Sequence, residues 1–154
     1  MITISDILRP DQIELDLRAT EAKSAIDEVT ALLKNNPGVS DWDALLRGVQ
    51  NAAPCLPEPG GGFSLCIPHT RGECVSSMVM SVGRSEAGIV FPGVALPVRY
   101  LFCIGVPRAL AADYLRIVGL LARVFKDRAD EEELRVVETG AGFVDRLSRR
   151  EARL

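Results

Sequence analysis

Hydrophobic residues change their spacing several times along this chain, and that alternation of period constrains the fold more than any other feature. Gln12-Ile13-Glu14-Leu15-Asp16-Leu17 alternates polar and apolar, the repeat of a half-buried strand. From Thr20 the spacing becomes helical. Ala22, Ala25, Ile26, Val29, Leu32 and Leu33 share one face, with Thr20 as the expected N-cap and Pro37-Gly38 as the stop. A second helix is predicted from Asp41 through Trp42, Leu45, Leu46 and Val49. Residues 63–67, 75–82 and 98–104 have the length and the β-branched or aromatic content of strands, and a shorter strand is placed at 89–91. Tyr114, Ile117, Val118, Leu121, Val124 and Phe125 then recur as one face of a long helix. Asp130 with Glu133 reads as the capping box of the next helix. A last helix starts near Ala141, and its charged end from Arg149 is expected to fray.

Strands and helices interspersed in this order predict an α/β fold, a mixed β-sheet flanked by helices on both faces. No repeat or linker divides the chain, so residues 1–154 are read as a single domain. The strands at 63–67 and 75–82 are joined by a short loop and are expected to pair antiparallel, with His69 in the connection at a sheet edge. Residues 53–62, Ala-Pro-Cys-Leu-Pro-Glu-Pro-Gly-Gly-Gly, are expected to be an irregular loop leading to that histidine.

Charge excludes one large class of partner. Eighteen basic and 21 acidic residues give a net charge of -3, which leaves no basic stripe for DNA or RNA. Met1 to Arg9 lacks the pattern of a signal peptide, and no run of apolar residues is long enough to span a bilayer, so a cytoplasmic chain without membrane insertion is expected. The cysteines at 55, 66, 74 and 103 fit neither a CxxC pair nor a secreted disulfide framework and are read as reduced thiols, with Cys66 and Cys103 as small core hydrophobes. Cys55, Cys66, His69 and Cys74 could supply soft metal ligands. Their spacing is not that of zinc fingers, and strand neighbours point to opposite faces, so no metal and no other cofactor is expected.

His69 is the only histidine. It stands in Leu65-Cys66-Ile67-Pro68-His69-Thr70-Arg71, where an apolar strand is interrupted by proline. An imidazole combines a nucleophilic nitrogen with a pKa near neutrality, so it can accept and release a phosphoryl group without a metal. Taken alone, the same residue also fits a hydrogen-bonded structural histidine, and Cys74 or Cys66 with His69 could form the pair of a cysteine hydrolase.

Several segments together carry a resemblance. They are Ile4-Ser5-Asp6-Ile7-Leu8, Ile13-Glu14-Leu15, the helix from Thr20, Gly62 through Arg71 with its Ile67-Pro68-His69 element, Pro97-Val98, and Tyr114-Leu115 followed by Leu120-Leu121-Ala122-Arg123. With their order they resemble the fructose/mannitol-type enzyme IIA domain of the bacterial sugar phosphotransferase system, a family that includes nitrogen-regulatory members. The resemblance implies that His69 takes a phosphoryl group from the histidine phosphocarrier protein. It would then pass the group to a transporter domain or hold it as a signal to a regulatory target. A regulatory, nitrogen-related role is expected because no fused transporter or carrier domain is present. Backbone amides near Gly62, the Thr70 hydroxyl and the Arg71 guanidinium are the expected phosphate donors, although Thr70 and Arg71 could also be an ordinary solvated turn.

Two positions depart from the family pattern. Ala53-Pro54 stands where the family has an arginine, and Tyr114 stands where it has a second histidine at the start of the long helix. Arg47 is the candidate to replace the lost cation. Tyr114 either lines the site or belongs to the core. These losses make a second reading, a binding module of enzyme IIA fold without efficient phosphotransfer, a direct rival. The sequence leaves the oligomeric state open between monomer and homodimer.

Overall fold

The computed structural model describes residues 1–57 and 62–153. Its axis is strand β6 (Val98–Val106), buried along its whole length. Alternate side chains of β6 feed two cores: Tyr100, Phe102, Ile104 and Val106 on one face, Leu101 and Cys103 on the other. Strand β5 (Val79–Ile89) runs antiparallel to β6, and β1 (Ile13–Glu14) lies parallel outside β5. Along the opposite edge of β6, β3 (Ser64–Cys66) and β4 (His69–Arg71) follow one another, both parallel to it. The edge strand β2 (Cys55–Pro57) pairs antiparallel with β3.

Helices α1 (Ile4–Ile7), α4 (Ala111–Lys126), α5 (Arg128–Val136) and α6 (Gly140–Ala152) cover the Tyr100 face. Helices α2 (Ala22–Thr30) and α3 (Trp42–Val49) cover the Leu101 face. The expected mixed sheet with helices on both faces is therefore observed. A cluster of Tyr100, Phe102, Phe125 and Phe143 fills the first core, with Tyr100 and Phe125 ring centroids 4.9 Å apart. Two arginines are built into the frame. Arg84 donates to the carbonyls of Leu15, Leu134 and Val137, satisfying the C-terminal end of α5. Arg99 pairs with Glu131 at 3.0 Å, both side chains under a tenth exposed, and lies over the Phe63 ring.

Several expected boundaries shift for identifiable reasons. Segment 63–67 does not pair with the following strand. β6 inserts between them, so β3 is parallel to β6 and β5 antiparallel to it. β5 begins at Val79 rather than Val75, which instead bridges Val39, and it continues through Gly83 and Arg84 to Ile89. The irregular loop expected at 53–62 contains β2, whose one proline, Pro57, is tolerated at a sheet edge; residues 58–61 of that loop lie outside the described residues. The N-cap position of α2 is Glu21, without a side-chain cap bond, and not Thr20, because Thr20 and Glu21 are extended against Val90. α5 is capped by Asp127, whose side chain accepts from the Asp130 amide, while the Asp130 carboxylate pairs with Arg150. That pair, and Glu151 bonded to Arg116 and to the Ile4 amide, hold the α6 end that was expected to fray. Cys55 and Cys66 are joined in a disulfide, correcting the reading of four reduced thiols; Cys74 and Cys103 are free and buried.

Candidate functional site

β3 and β4 would be one strand but for Pro68. Having no N–H, proline cannot donate into a ladder; its carbonyl still accepts from the Ile104 amide at 2.9 Å, so β6 stays continuous past the break. His69 is therefore not in a connecting loop, as expected, but is the first residue of β4, paired with Ile104 of β6, because the ladder resumes directly after Pro68; its side chain is half-buried. There the His69 amide donates to the Ala52 carbonyl at 2.9 Å and the ring Nδ1 lies 3.0 Å from the Ile67 carbonyl. A carbonyl can only accept, so Nδ1 must carry the proton, and the Nε2 lone pair is left for a ligand or an electrophile.

A cleft of about 490 Å³ surrounds this ring, lined by β4, α4, the end of β6, Gly48 of α3 and the chain that follows α3. β4 supplies His69, Thr70 and Arg71, and the chain after α3 supplies Asn51 and Ala52. Tyr114 and Leu115 come from α4, whose first residue, Ala111, also lines the cleft, so the positive end of that helix dipole faces it. The Tyr114 ring stacks on His69 with centroids 4.9 Å apart and an interplanar angle of 29°. Tyr114 also packs against the first core, so one side chain meets both the cleft and the core. Burial pushes its phenol pKa above the ordinary value, which keeps the hydroxyl a donor at neutral pH.

The structure brings His69, Thr70, Arg71 and Tyr114 together and leaves Arg47 out: it is exposed on α3 and is not among the residues lining the cleft. Arg71 has no ion-pair partner among the described residues, so its guanidinium is available to an anion. Gly62, expected nearby, is not among the lining residues either. α3 approaches β4 closely through Gly48, where a Cβ would stand 2.6 Å from Thr70 Cβ. Asn51, Ala52 and Gly48 were not singled out from sequence. Their only local signal is the end of a helix, and the β2–β3 pairing that carries them to His69 is not visible in the spacing of residues.

The cysteine-hydrolase and zinc constellations are not assembled. Cys66 is consumed in the disulfide with Cys55, and neither Cys66 nor Cys74 lines the cleft. Burial raises the Cys74 thiol pKa, the opposite of an activated nucleophile.

The sequence profile of the phosphoenolpyruvate-dependent sugar phosphotransferase system EIIA 2 family matches residues 6–149. This chain belongs to that family. The fructose-specific EIIA component of Haloferax volcanii is 30% identical over 146 residues, covering 94% of each chain. A nitrogen regulatory protein of Bradyrhizobium diazoefficiens is 23% identical over 86% of each chain. Among solved structures, the nitrogen regulatory protein IIA-Ntr of Neisseria meningitidis superposes with a TM-score of 0.77 at 22% identity, covering 94% of this chain and 98% of that one. The mannitol IIA of Escherichia coli gives 0.70 at 17% identity, covering 91% and 98%. These two structures share the fold of this EIIA chain. No helix among its described residues is long and apolar enough to cross a membrane.

Proposed function

We propose that this EIIA protein is a phosphoryl carrier, modified on Nε2 of His69 by a phosphorylated histidine phosphocarrier protein and acting as a regulatory EIIA of the nitrogen-related type. The observation that carries this reading is the bond from His69 Nδ1 to the Ile67 carbonyl, which leaves Nε2 as the ring nitrogen not engaged by that carbonyl, on a side chain that lines the cleft. In the transfer, Nε2 attacks the phosphorus of the donor's phosphohistidine in line with the departing imidazole. The donor N–P bond breaks as the new one forms, and the three equatorial oxygens need donors. The Thr70 hydroxyl, the Arg71 guanidinium, the Asn51 amide and the Tyr114 phenol line the space around the ring and are suited to that task. As Nε2 becomes phosphorylated, the Ile67 carbonyl continues to accept from Nδ1–H, so the ring needs no reorientation.

The nitrogen-type role draws on the names of the Bradyrhizobium relative and the Neisseria structure. The fructose-specific name of the Haloferax relative makes a sugar-transporter domain the competing acceptor, and the E. coli mannitol IIA has been solved in complex with phosphorylated IIB. Incubation with phosphorylated phosphocarrier, followed by intact mass measurement, tests the carrier reading. One acid-labile phosphoryl group is expected on the wild type and none on His69→Ala. One observation favours the rival reading of a binding module: among the described residues, Arg71 is the sole cation lining the cleft, and Ala53-Pro54 brings none. Uptake at background rate only would refute the carrier reading and favour that rival.

A further inference from the structure

The edge strand beside the cleft is held by a covalent bond that the phosphoryl chemistry does not use. Cys55 and Cys66 stand directly opposite each other in the antiparallel β2–β3 pair. The Ile67 amide donates to the Pro54 carbonyl, which makes Pro54 and Ile67 a hydrogen-bonded pair. By the alternation of an antiparallel ladder, Cys55 and Cys66 then form a non-hydrogen-bonded pair, where side chains approach most closely. The same alternation turns the Cys55 N–H away from β3, and Pro54 and Pro57 have no N–H. Leu56 is therefore the only residue of 54–57 that can donate to β3. Just before this edge strand, which lacks one ladder bond at Pro54, come Asn51 and Ala52, which line the His69 cleft, and the Ala52 carbonyl accepts from the His69 amide itself.

We propose that Cys55–Cys66 is a reversible thiol–disulfide modification site whose state sets how firmly the 51–54 wall of the His69 cleft is held. Only its consequence for phosphate uptake rests on the carrier reading. Cys55 is half-buried and lines a surface hollow with Leu56, Ser64 and Val94, whereas Cys66 is fully buried, so Cys55 Sγ is the sulfur open to attack. The reactant is a dithiol reductant. Its thiolate attacks Cys55 Sγ, the intramolecular S–S bond breaks, and Cys66 leaves as a thiolate that takes up a proton. The second thiol of the reductant then displaces Cys55, which is protonated in turn. Two electrons have moved to the protein and the reductant has become a disulfide. A small disulfide oxidant such as oxidised glutathione reverses the sequence. Cys74 and Cys103 do not compete: both are buried, and burial pushes the Cys103 thiol up to about 12.

The test is amide hydrogen exchange on the whole chain, before and after dithiothreitol, with free thiols counted under denaturing conditions. The oxidised protein should show two free thiols and the reduced protein four. Reduction should speed exchange of the Ile67 and His69 amides by about tenfold or more, the ratio that 1.4 kcal/mol carries, and leave the central amides of β6 unchanged. Cys55→Ser should show the fast rates with or without reductant, and its unchanged β6 amides would certify that it folds. Four free thiols after treatment with oxidised glutathione, or equal exchange in the two forms, would overturn the proposal. Failure of both redox forms to take up phosphate would refute the carrier reading instead and leave an exchange difference standing.

Discussion

Replacing Gly48 with alanine should damage phosphate uptake far more than stability, because of where the new methyl group lands. The added Cβ would stand 2.6 Å from Thr70 Cβ and 2.9 Å from Thr70 Cγ2. Carbon atoms in contact sit at about 3.5–4.0 Å, so the overlap is about 1 Å. The Thr70 rotamer cannot relieve it, since the nearest carbon is the Cβ, fixed by the backbone of β4. Either α3 or the residue next to His69 must move by that amount. Overpacking of this kind costs about 1–3 kcal/mol, and alanine in a helix returns up to about 1 kcal/mol relative to glycine. The expected net loss of stability is about 0–2 kcal/mol, small enough for the protein to remain folded. A displacement of about 1 Å in a transfer that depends on in-line geometry is worth about a hundredfold in rate. Gly119→Ala is the control: it also lies in a helix, and its Cβ would meet nothing within 4 Å, so it should be neutral to stabilising and leave transfer untouched. Rates of uptake from phosphorylated phosphocarrier, read beside urea unfolding, decide the matter. A folded Gly48→Ala protein that accepted phosphate at the wild-type rate would refute the reasoning.

Three further perturbations separate the roles assigned to the cleft and its frame. Arg71→Ala should slow uptake by about 10–100-fold, the worth of one charge-assisted hydrogen bond, with thermal stability unchanged, whereas Arg47→Ala should do neither; the reverse ranking would move the cation to α3. Tyr114→His should lengthen the lifetime of the phosphorylated form by about tenfold at low pH, the gain fading as pH rises through the imidazole range because only imidazolium supplies the charge; a lifetime equal to wild type at pH 6 would show that position 114 does not reach the phosphoryl group. Arg99→Met should cost about 3–5 kcal/mol in urea unfolding, because it strands the buried Glu131 carboxylate, and a loss under about 1 kcal/mol would mean that Glu131 is solvated or neutral.

The elements legible in the sequence were those whose residues match their structural environment. The long face of α4 and the uniformly apolar β6 are of this kind, because each buries what its spacing displays. β5 was misplaced because its second half, Gly83-Arg84-Ser85-Glu86-Ala87-Gly88, carries few strand formers. It is a strand because Gly83 and Arg84 pair with β6 and Gly83 also pairs with β1, while the Arg84 side chain is held by carbonyls at the end of α5, all tertiary causes. β2 was hidden under three prolines and a run of glycines, a composition that suits an edge strand as well as a loop. That one omission concealed both the disulfide and the approach of Asn51 and Ala52 to His69, since each depends on the β2–β3 register. The histidine and its neighbours Thr70 and Arg71 were legible as a contiguous motif. The stacking of Tyr114 on His69 joins residues 45 positions apart, and the family resemblance placed it without deciding which way the ring faced.

The central claim concerns one nitrogen atom. Protein labelled with 15N in its single histidine, phosphorylated by the phosphocarrier and observed by phosphorus–nitrogen correlation, reports directly which ring nitrogen carries the phosphoryl group. The Nδ1 bond to the Ile67 carbonyl predicts phosphorus coupled to Nε2, with Nδ1 still protonated. Phosphorus on Nδ1, or on any residue other than His69, would contradict the account.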